Sequence, residues 1–470
     1  MNRLGALVLS LFGAFLALVG LIMTLAPAHT SAAADEQPPN VIIVMVDALR
    51  PDHVSSYGYA RPTTPNLDSR LAATGTRFLD VTSASSWTYP ANAAMLTGRM
   101  PADIGVHWHS NDTRIPESET MLAEHLKAAG YTTAGFVNAF YVWPRFGFGD
   151  GFDTYQVVQS GLNGDAAQVN AAAFEWLDAN WTPEQQTGSL FLYLYYYDPH
   201  TIYAPPSPYD VLYDSTYTGT LTSTVFNNGE RVVSGEIVPT ERDIEHLKAL
   251  YDGEITHWDT RFGEMMDRLG DLGVLDNALV LLTADHGQMF GEHGEWTHHN
   301  SLYEEVVRVP MVISWPGVLP AGQVITAPVT TMDVTPTLLH LLGLPVPDDV
   351  AGEDLTSLLN GGPADPERPI FSELSGETAP TNPHFWNSPS YEQRAVKRAG
   401  WKFIHEIRNP AADQLFEVLP ASQYEVENLI ETAPDQAQSL RELLFEWFTV
   451  PTHFSFLAPV QGSPTPLRAP

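Results

Sequence analysis

Short, almost unbroken apolar runs recur along this chain, with stretches of helical spacing between them. Asn40–Val46 (Asn-Val-Ile-Ile-Val-Met-Val) has no alternation of polar and apolar positions, as expected of a strand buried on both faces. It ends at Asp47. Thr132–Val137 follows a helix-like stretch at 120–130, with Gly130 suited to its C-cap. Leu190–Tyr196 follows Ala166–Asn180, and 278–283 follows the long periodic stretch 242–269 before running into Asp285. Met311–Ser314 follows 302–307. Strands alternating with helices predict a doubly wound, mostly parallel sheet. In such sheets ligands bind beyond the carboxyl ends of the strands, which is where Asp47 and Asp285 fall.

The remaining stretches differ in character. Residues 203–238 are rich in Pro, Thr, Ser and Gly and read as a long loop or insertion. Residues 394–429 read as two short strands and a turn, and 434–448 as a last helix. From Pro451 on, Pro and small residues predict a poorly ordered tail. At the other end, 4–25 is almost wholly apolar behind Arg3, and a small-residue stretch follows it. That order reads as a secretory signal or, since the run approaches the roughly 20 residues of a bilayer span, a single membrane anchor. Either places the body outside the cytoplasm: secreted, periplasmic or anchored and facing outward. The expected organisation is 1–39 as signal or anchor plus linker, 40–360 as the catalytic domain, 361–450 as a C-terminal subdomain and 451–470 as the tail.

Composition narrows the chemistry. A net charge of -33 over 470 residues argues against nucleic acid as a partner, because phosphate backbones need a basic face. An anionic small substrate is still compatible if a cation and histidines supply the local positive field. The chain has no cysteine, so disulfides, thiolate metal sites and Cys nucleophiles are excluded.

Three segments carry candidate chemistry. The first is Val-Asp-Ala-Leu-Arg-Pro-Asp-His from Val46, and the second is Ser-Ser-Trp-Thr-Tyr-Pro-Ala-Asn-Ala-Ala-Met-Leu-Thr-Gly-Arg over 85–99. The third is Thr283-Ala284-Asp285-His286-Gly287, where an Asp-His pair after a strand suits zinc, manganese or calcium. Each has an ordinary structural reading when taken alone, as a helix cap or a solvated loop histidine.

In this order and spacing the segments resemble the sulfatase branch of the alkaline phosphatase superfamily. In that branch a Cys-x-Pro-x-Arg run, or its Ser equivalent, precedes an apolar helix start and Leu-Thr-Gly-Arg. The tail is intact here as Leu96, Thr97, Gly98 and Arg99, but Thr88 holds the nucleophile position and Asn92 the arginine position. Ala48 replaces a second Asp of the usual calcium cage. The resemblance spans about 40–359, with a further stretch from Ala395. It implies an alkaline-phosphatase-like α/β/α sandwich with a mostly parallel sheet and a small C-terminal antiparallel-sheet subdomain.

The resemblance also implies one divalent metal ion (Mn, Zn or Ca) held by Asp47, Thr88, Asp285 and His286. Such an ion would acidify the Thr88 hydroxyl, orient the substrate and offset transition-state charge. His200, in Tyr197-Asp198-Pro199-His200, and His298 are the expected catalytic partners. Asn92, His299 and His107 are the expected substrate contacts, with His109 beside them, and Arg99 stands behind the site. A second ion, through Asp198 with His200 and His298 or His299, is left open. Because threonine cannot become the formylglycine of sulfatases, the expected reaction is hydrolysis of phosphate mono- or diesters or phosphonates. Its alternatives are a sulfatase without formylglycine, a phospho-group transferase acting on a lipid or glycan, and a non-catalytic binding relative. The expected substrate is a small-molecule, glycan or lipid ester.

Overall fold

Eight strands form the central sheet of the computed structural model, which describes residues 37–106, 114–158, 165–182, 185–186, 188–226, 229–298, 300–374, 392–418 and 424–449. The apolar start, His107, His109, His299 and the tail from Pro451 lie outside the described residues. In chain order the strands are β1 (Asn40–Val46), β2 (Thr76–Phe78), β3 (Thr132–Val137), β4 (Thr154–Val157), β5 (Leu190–Tyr196), β6 (Ala278–Ala284), β7 (Met311–Ser314) and β8 (Gln323–Ile325). Across the sheet they run β8-β2-β7-β6-β1-β5-β3-β4. Only β7 is antiparallel to its neighbours, β6 and β2.

β1 lies at the centre, parallel to β5 on one side and β6 on the other, and Val41 to Val46 are wholly buried. That explains the missing alternation: neither face is wet, so neither selects polar side chains. Val46 pairs with both Tyr196 and Ala284. The three strands therefore end level, and Asp47, the Tyr197–His200 turn and Asp285 leave the sheet side by side. The expected parallel sheet is present. The three strands missing from the sequence reading, β2, β4 and β8, lie at or near the edges, and β2 and β8 have only three residues each.

Six helices matter for the site: α1 (Thr88–Thr97), α2 (Leu122–Ala128), α3 (Ala166–Asn180), α4 (Glu241–Asp271), α5 (Val334–Leu341) and α6 (Pro434–Thr449). α1 packs with α2 and α5, whereas α3 packs with α4, β3 and β5. Thr240 opens α4 with a capping box, its hydroxyl accepting from the Asp243 amide while Asp243 accepts from the Thr240 amide. The 65–68 turn is capped from outside: Asp259 of α4 accepts from the Asn66 and Leu67 amides at 2.8 Å each, and Thr64 makes no side-chain cap.

A second, antiparallel sheet of four strands follows, β9 (Ile370–Leu374), β10 (Gln393–Arg398), β11 (Trp401–Glu406) and β12 (Gln414–Glu417), the last three falling where the sequence predicts two strands and a turn. Ala399 (φ 51°) and Gly400 (φ 78°) join β10 to β11, the paired positive φ values of a type I′ hairpin. Leu440, Leu444 and Phe448 of α6 share a buried cluster with Val396, Phe403 and Leu415. β9 also holds the loop ahead of α1: the Ser85 hydroxyl donates to the Glu373 carbonyl at 2.8 Å, and the Ser372 hydroxyl to the Ser83 carbonyl at 2.9 Å. Among the described residues no helix is long and apolar enough to cross a membrane.

Candidate active site

Thr88 is the first residue of α1. Trp87 before it is extended (φ -159°, ψ 161°), so the chain turns sharply into the helix. Pro90 is tolerated because it lies in the first turn, where backbone N–H groups lack intrahelical acceptors. Three alanines carry the helix onward, and Gly98 ends it in the left-handed region (φ 72°), donating to the Ala94 carbonyl at 2.8 Å.

Asp285 and His286 follow β6 directly. Gly287 comes next because the chain runs against the 305–306 backbone, where a Cβ would collide with the Glu305 carbonyl. His286 Nδ1 lies 2.9 Å from the Gly287 carbonyl. A carbonyl only accepts, so Nδ1 carries the proton and Nε2 presents its lone pair. That Nε2 lies 3.3 Å from Thr88 Oγ1, 3.4 Å from Asp47 Oδ1 and 3.7 Å from Asp285 Oδ2. The four residues named from the sequence thus meet around one point, from three distant segments.

The two carboxylates are treated oppositely. Asp285 is hydrogen-bonded on both oxygens: Oδ1 accepts from the His286 amide (2.8 Å) and the Ala48 amide (3.3 Å), and Oδ2 from the Tyr195 hydroxyl (2.7 Å) and the Asn92 side-chain amide (3.1 Å). Both oxygens of Asp47 are buried without a hydrogen-bond partner, the nearby Tyr195 hydroxyl being spent on Asp285. Burial and the charge of Asp285 push the Asp47 carboxyl well above the usual range, with Tyr195 opposing. A buried bare carboxylate is costly unless a cation meets it.

The spacing suits one. Tetrahedral N/O ligands at about 2.0–2.1 Å from a cation lie roughly 3.3 Å from one another, close to the observed 3.3–3.7 Å. With the lone pair of His286 and the bare oxygens of Asp47, the donor set fits a divalent ion.

Asn92 sits one helical turn after Thr88, and its side chain is engaged within the cluster. The amide nitrogen donates to the Thr88 carbonyl (2.8 Å) and to Asp285, and Oδ1 accepts from the Tyr193 hydroxyl at 3.0 Å. Its expected donation to a substrate oxygen therefore has no free hydrogen in this structure, and Asn92 positions Asp285 instead. Tyr193 and Tyr195 are two apart on β5 and so point to the same face. The sequence reading passed over both as core.

His200 and His298 also reach the site. The His298 ring stacks on His286, with centroids 4.3 Å apart, and its Nδ1 lies 2.8 Å from Gln288 Oε1. His200 Nδ1 lies 2.7 Å from the Thr201 carbonyl. The two Nε2 atoms face each other at 3.3 Å, within hydrogen-bonding distance. Gln288, also absent from the sequence reading, is fixed by its donation to the Tyr203 hydroxyl at 2.6 Å. Arg50 serves elsewhere, bound to Asp52, Glu292 and the Gln288 carbonyl. Asp198, considered with His200 and His298 for a second ion, groups with Asp165 and His257.

The fold and this cluster define an ester hydrolase of the alkaline-phosphatase-like α/β class. The model of the Sulfatase family matches residues 39–344, and the chain belongs to that family. A second model, N-sulphoglucosamine sulphohydrolase, C-terminal, matches 291–444. An ulvan-active sulfatase of Formosa agariphila is 26% identical over 83% of this chain and 77% of its own length. Human arylsulfatase A is 28% identical over 73% of this chain and 72% of its own. Among solved structures, the phosphonate monoester hydrolase of Agrobacterium radiobacter superposes with a TM-score of 0.70 at 21% identity, covering 88% of this chain and 96% of that one.

Proposed function

We propose that this chain hydrolyses a sulfate ester by covalent catalysis at Thr88, with one divalent cation in the Asp47–Asp285–His286 cluster. The observation that carries the reading is the position of Thr88 Oγ1, at the head of a buried helix and 3.3 Å from His286 Nε2 in a cluster whose Asp47 oxygens are bare. The names of the relatives, an ulvan-active sulfatase, a choline-sulfatase and arylsulfatases among them, support sulfate over the phosphorus esters expected from the sequence.

In this reading Asp47, Thr88, Asp285 and His286 would hold the ion, which would supply charge neutralisation at the ester's non-bridging oxygens and a lower pKa at the Thr88 hydroxyl. Thr88 Oγ, its proton released to solvent, attacks sulfur in line, forming a new S–O bond as the bond to the leaving oxygen breaks. In this reading the His200–His298 pair, protonated at one Nε2, gives that proton to the leaving oxygen. Water then attacks the threonyl sulfate, one of its protons returns to the histidine pair, and Thr88 regains its hydroxyl with the other. Asn92, Tyr193 and Tyr195 hold Asp285 in place.

A second reading, hydrolysis of a phosphate or phosphonate ester through the same threonine, is favoured by Thr88 itself, since a side chain that cannot become formylglycine leaves an ordinary alkoxide as nucleophile. The metal-reconstituted protein assayed on an aryl sulfate, a phosphate monoester, a phosphate diester and a phosphonate ester separates the two. Sulfate turnover that disappears in Thr88→Ala supports the proposal. Sulfate turnover surviving that change sinks the nucleophile, and phosphorus esters turned over tenfold faster make the second reading the correct one. The apolar start at 4–25 supports a place outside the cytoplasm, which cell fractionation tests.

A further inference from the structure

Asp165, Asp198 and His257 bring two carboxylate oxygens and a ring nitrogen within 4.8 Å of one another. They come from three elements. Asp165 caps α3, accepting from the Ala167 amide at 2.8 Å, Asp198 lies two residues beyond β5, and His257 belongs to α4. Glu254 stands one turn before His257 on the same helix face, and its Oε1 accepts from the Ala204 amide at 2.7 Å. Asp198 and His257 are only 4% and 3% exposed, yet Asp198 Oδ2 and His257 Nδ1 have no hydrogen-bond partner. His257 Nε2 lies 3.3 Å from Asp165 Oδ1, a hydrogen-bonded pair whose separation is also that of neighbouring ligands on one ion.

We propose that Asp165, Asp198 and His257, with Glu254 beside them, form a second divalent-cation site. Mixed imidazole and carboxylate donors suit Mn²⁺ or Zn²⁺ better than Ca²⁺, which takes oxygen ligands almost throughout. Burial pushes the Asp198 carboxyl up to about 7, with His257 opposing and Asp165 adding to the rise, and burial raises Glu254 well above the usual range. A bound ion would tie the starts of α3 and the Asp198 turn to the middle of α4. Since Asp198 leads through Pro199 into His200, it would also fix the backbone from which His200 reaches the catalytic cluster.

The test is cation stoichiometry on the full chain, stripped with chelator and titrated with Mn²⁺, bound and free ion being separated by electron paramagnetic resonance. Two ions per chain are expected for the wild type, and one for Asp198→Asn and for His257→Gln. Should Asp198→Asn fail to fold, His257→Gln decides, together with a Co²⁺ visible spectrum that loses one component in that variant. A wild type binding a single ion, lost in Asp47→Asn and kept in both outer variants, overturns the proposal. A single ion kept in Asp47→Asn and lost in His257→Gln upholds it while removing the cation from the proposed catalytic cluster.

Discussion

Removing one hydroxyl from β5 should weaken cation binding without disturbing the fold. In Tyr195→Phe the ring stays in place and Asp285 Oδ2 loses its 2.7 Å donor, keeping the Asn92 amide at 3.1 Å. A hydrogen bond to a charged group contributes about 1.5–3 kcal/mol, and loss of a partner behind a metal ligand typically costs roughly 10–100-fold in affinity. The expected result is a cation dissociation constant raised roughly 10–100-fold, with the rate at saturating cation close to wild type. Chelator competition in a His257→Gln background isolates the inner ion. Tyr193→Phe supplies the scale: its hydroxyl reaches Asn92, one step farther out and in a neutral bond of about 0.5–1.5 kcal/mol, so its effect should not exceed roughly tenfold. Affinity in Tyr195→Phe within about twofold of wild type would refute the role given to the tyrosines.

Thr88→Ala should lower turnover by roughly a thousandfold or more, with Thr88→Ser retaining measurable rate, in the single-turnover release of an aryl leaving group. The metal-free protein should be most stable at mildly acidic pH. Burial raises Asp259 to about 6 and Glu373 and Asp198 to about 7, so the folded state holds protons that the unfolded chain, with carboxyls near 4, has released. Their stabilising contribution is complete below about pH 4 and lost as pH rises through about 7, whereas Glu292, held near 2 by Arg50 and Lys248 against burial, loses its contribution on acidification. Thermal melts in chelator rising steadily from pH 5 to 8 would contradict this. Lys402→Met should destabilise the fold by about 3–5 kcal/mol in denaturant unfolding, because it leaves Glu304 and Glu425, at 2.8 and 2.7 Å from the Lys402 amine, buried without that cation.

The parts of the fold legible in the sequence are those where one physical demand acts on consecutive residues. β1, β5 and β6 are buried on both faces and so are apolar throughout, and a lone Asp at the end of such a run stands out. The edge strands carry no such demand. β4 is only partly buried, and β2 and β8 are too short for a period to show. The reversed direction of β7 depends on its partners rather than on Met311–Ser314 itself. At the site, the Asp-His pair and the Thr88 segment are contiguous and readable. Tyr193, Tyr195 and Gln288 act through hydroxyl and amide groups on side chains whose types are equally at home in a core. The i, i+2 spacing of the tyrosines, leading toward a candidate ligand turn, is the signal that could have found two of them. Asp165, Asp198 and His257 lie up to 92 residues apart in sequence and meet only after folding.

All ten residues of α1 are buried, from Thr88 to Thr97. A helix with no wet face has no neutral positions: a larger side chain meets a neighbour, a smaller one leaves a void, and a charge has no solvent to reach. Evolution can therefore adjust the Thr88 segment only in concert with α2, α5 and the loop held by β9. Changes of substrate preference at low mutational cost must arise elsewhere, in more exposed segments such as 206–220. Variation among close homologues should accordingly concentrate there, with α1 nearly invariant, so that divergence in specificity leaves the reacting atoms where they are.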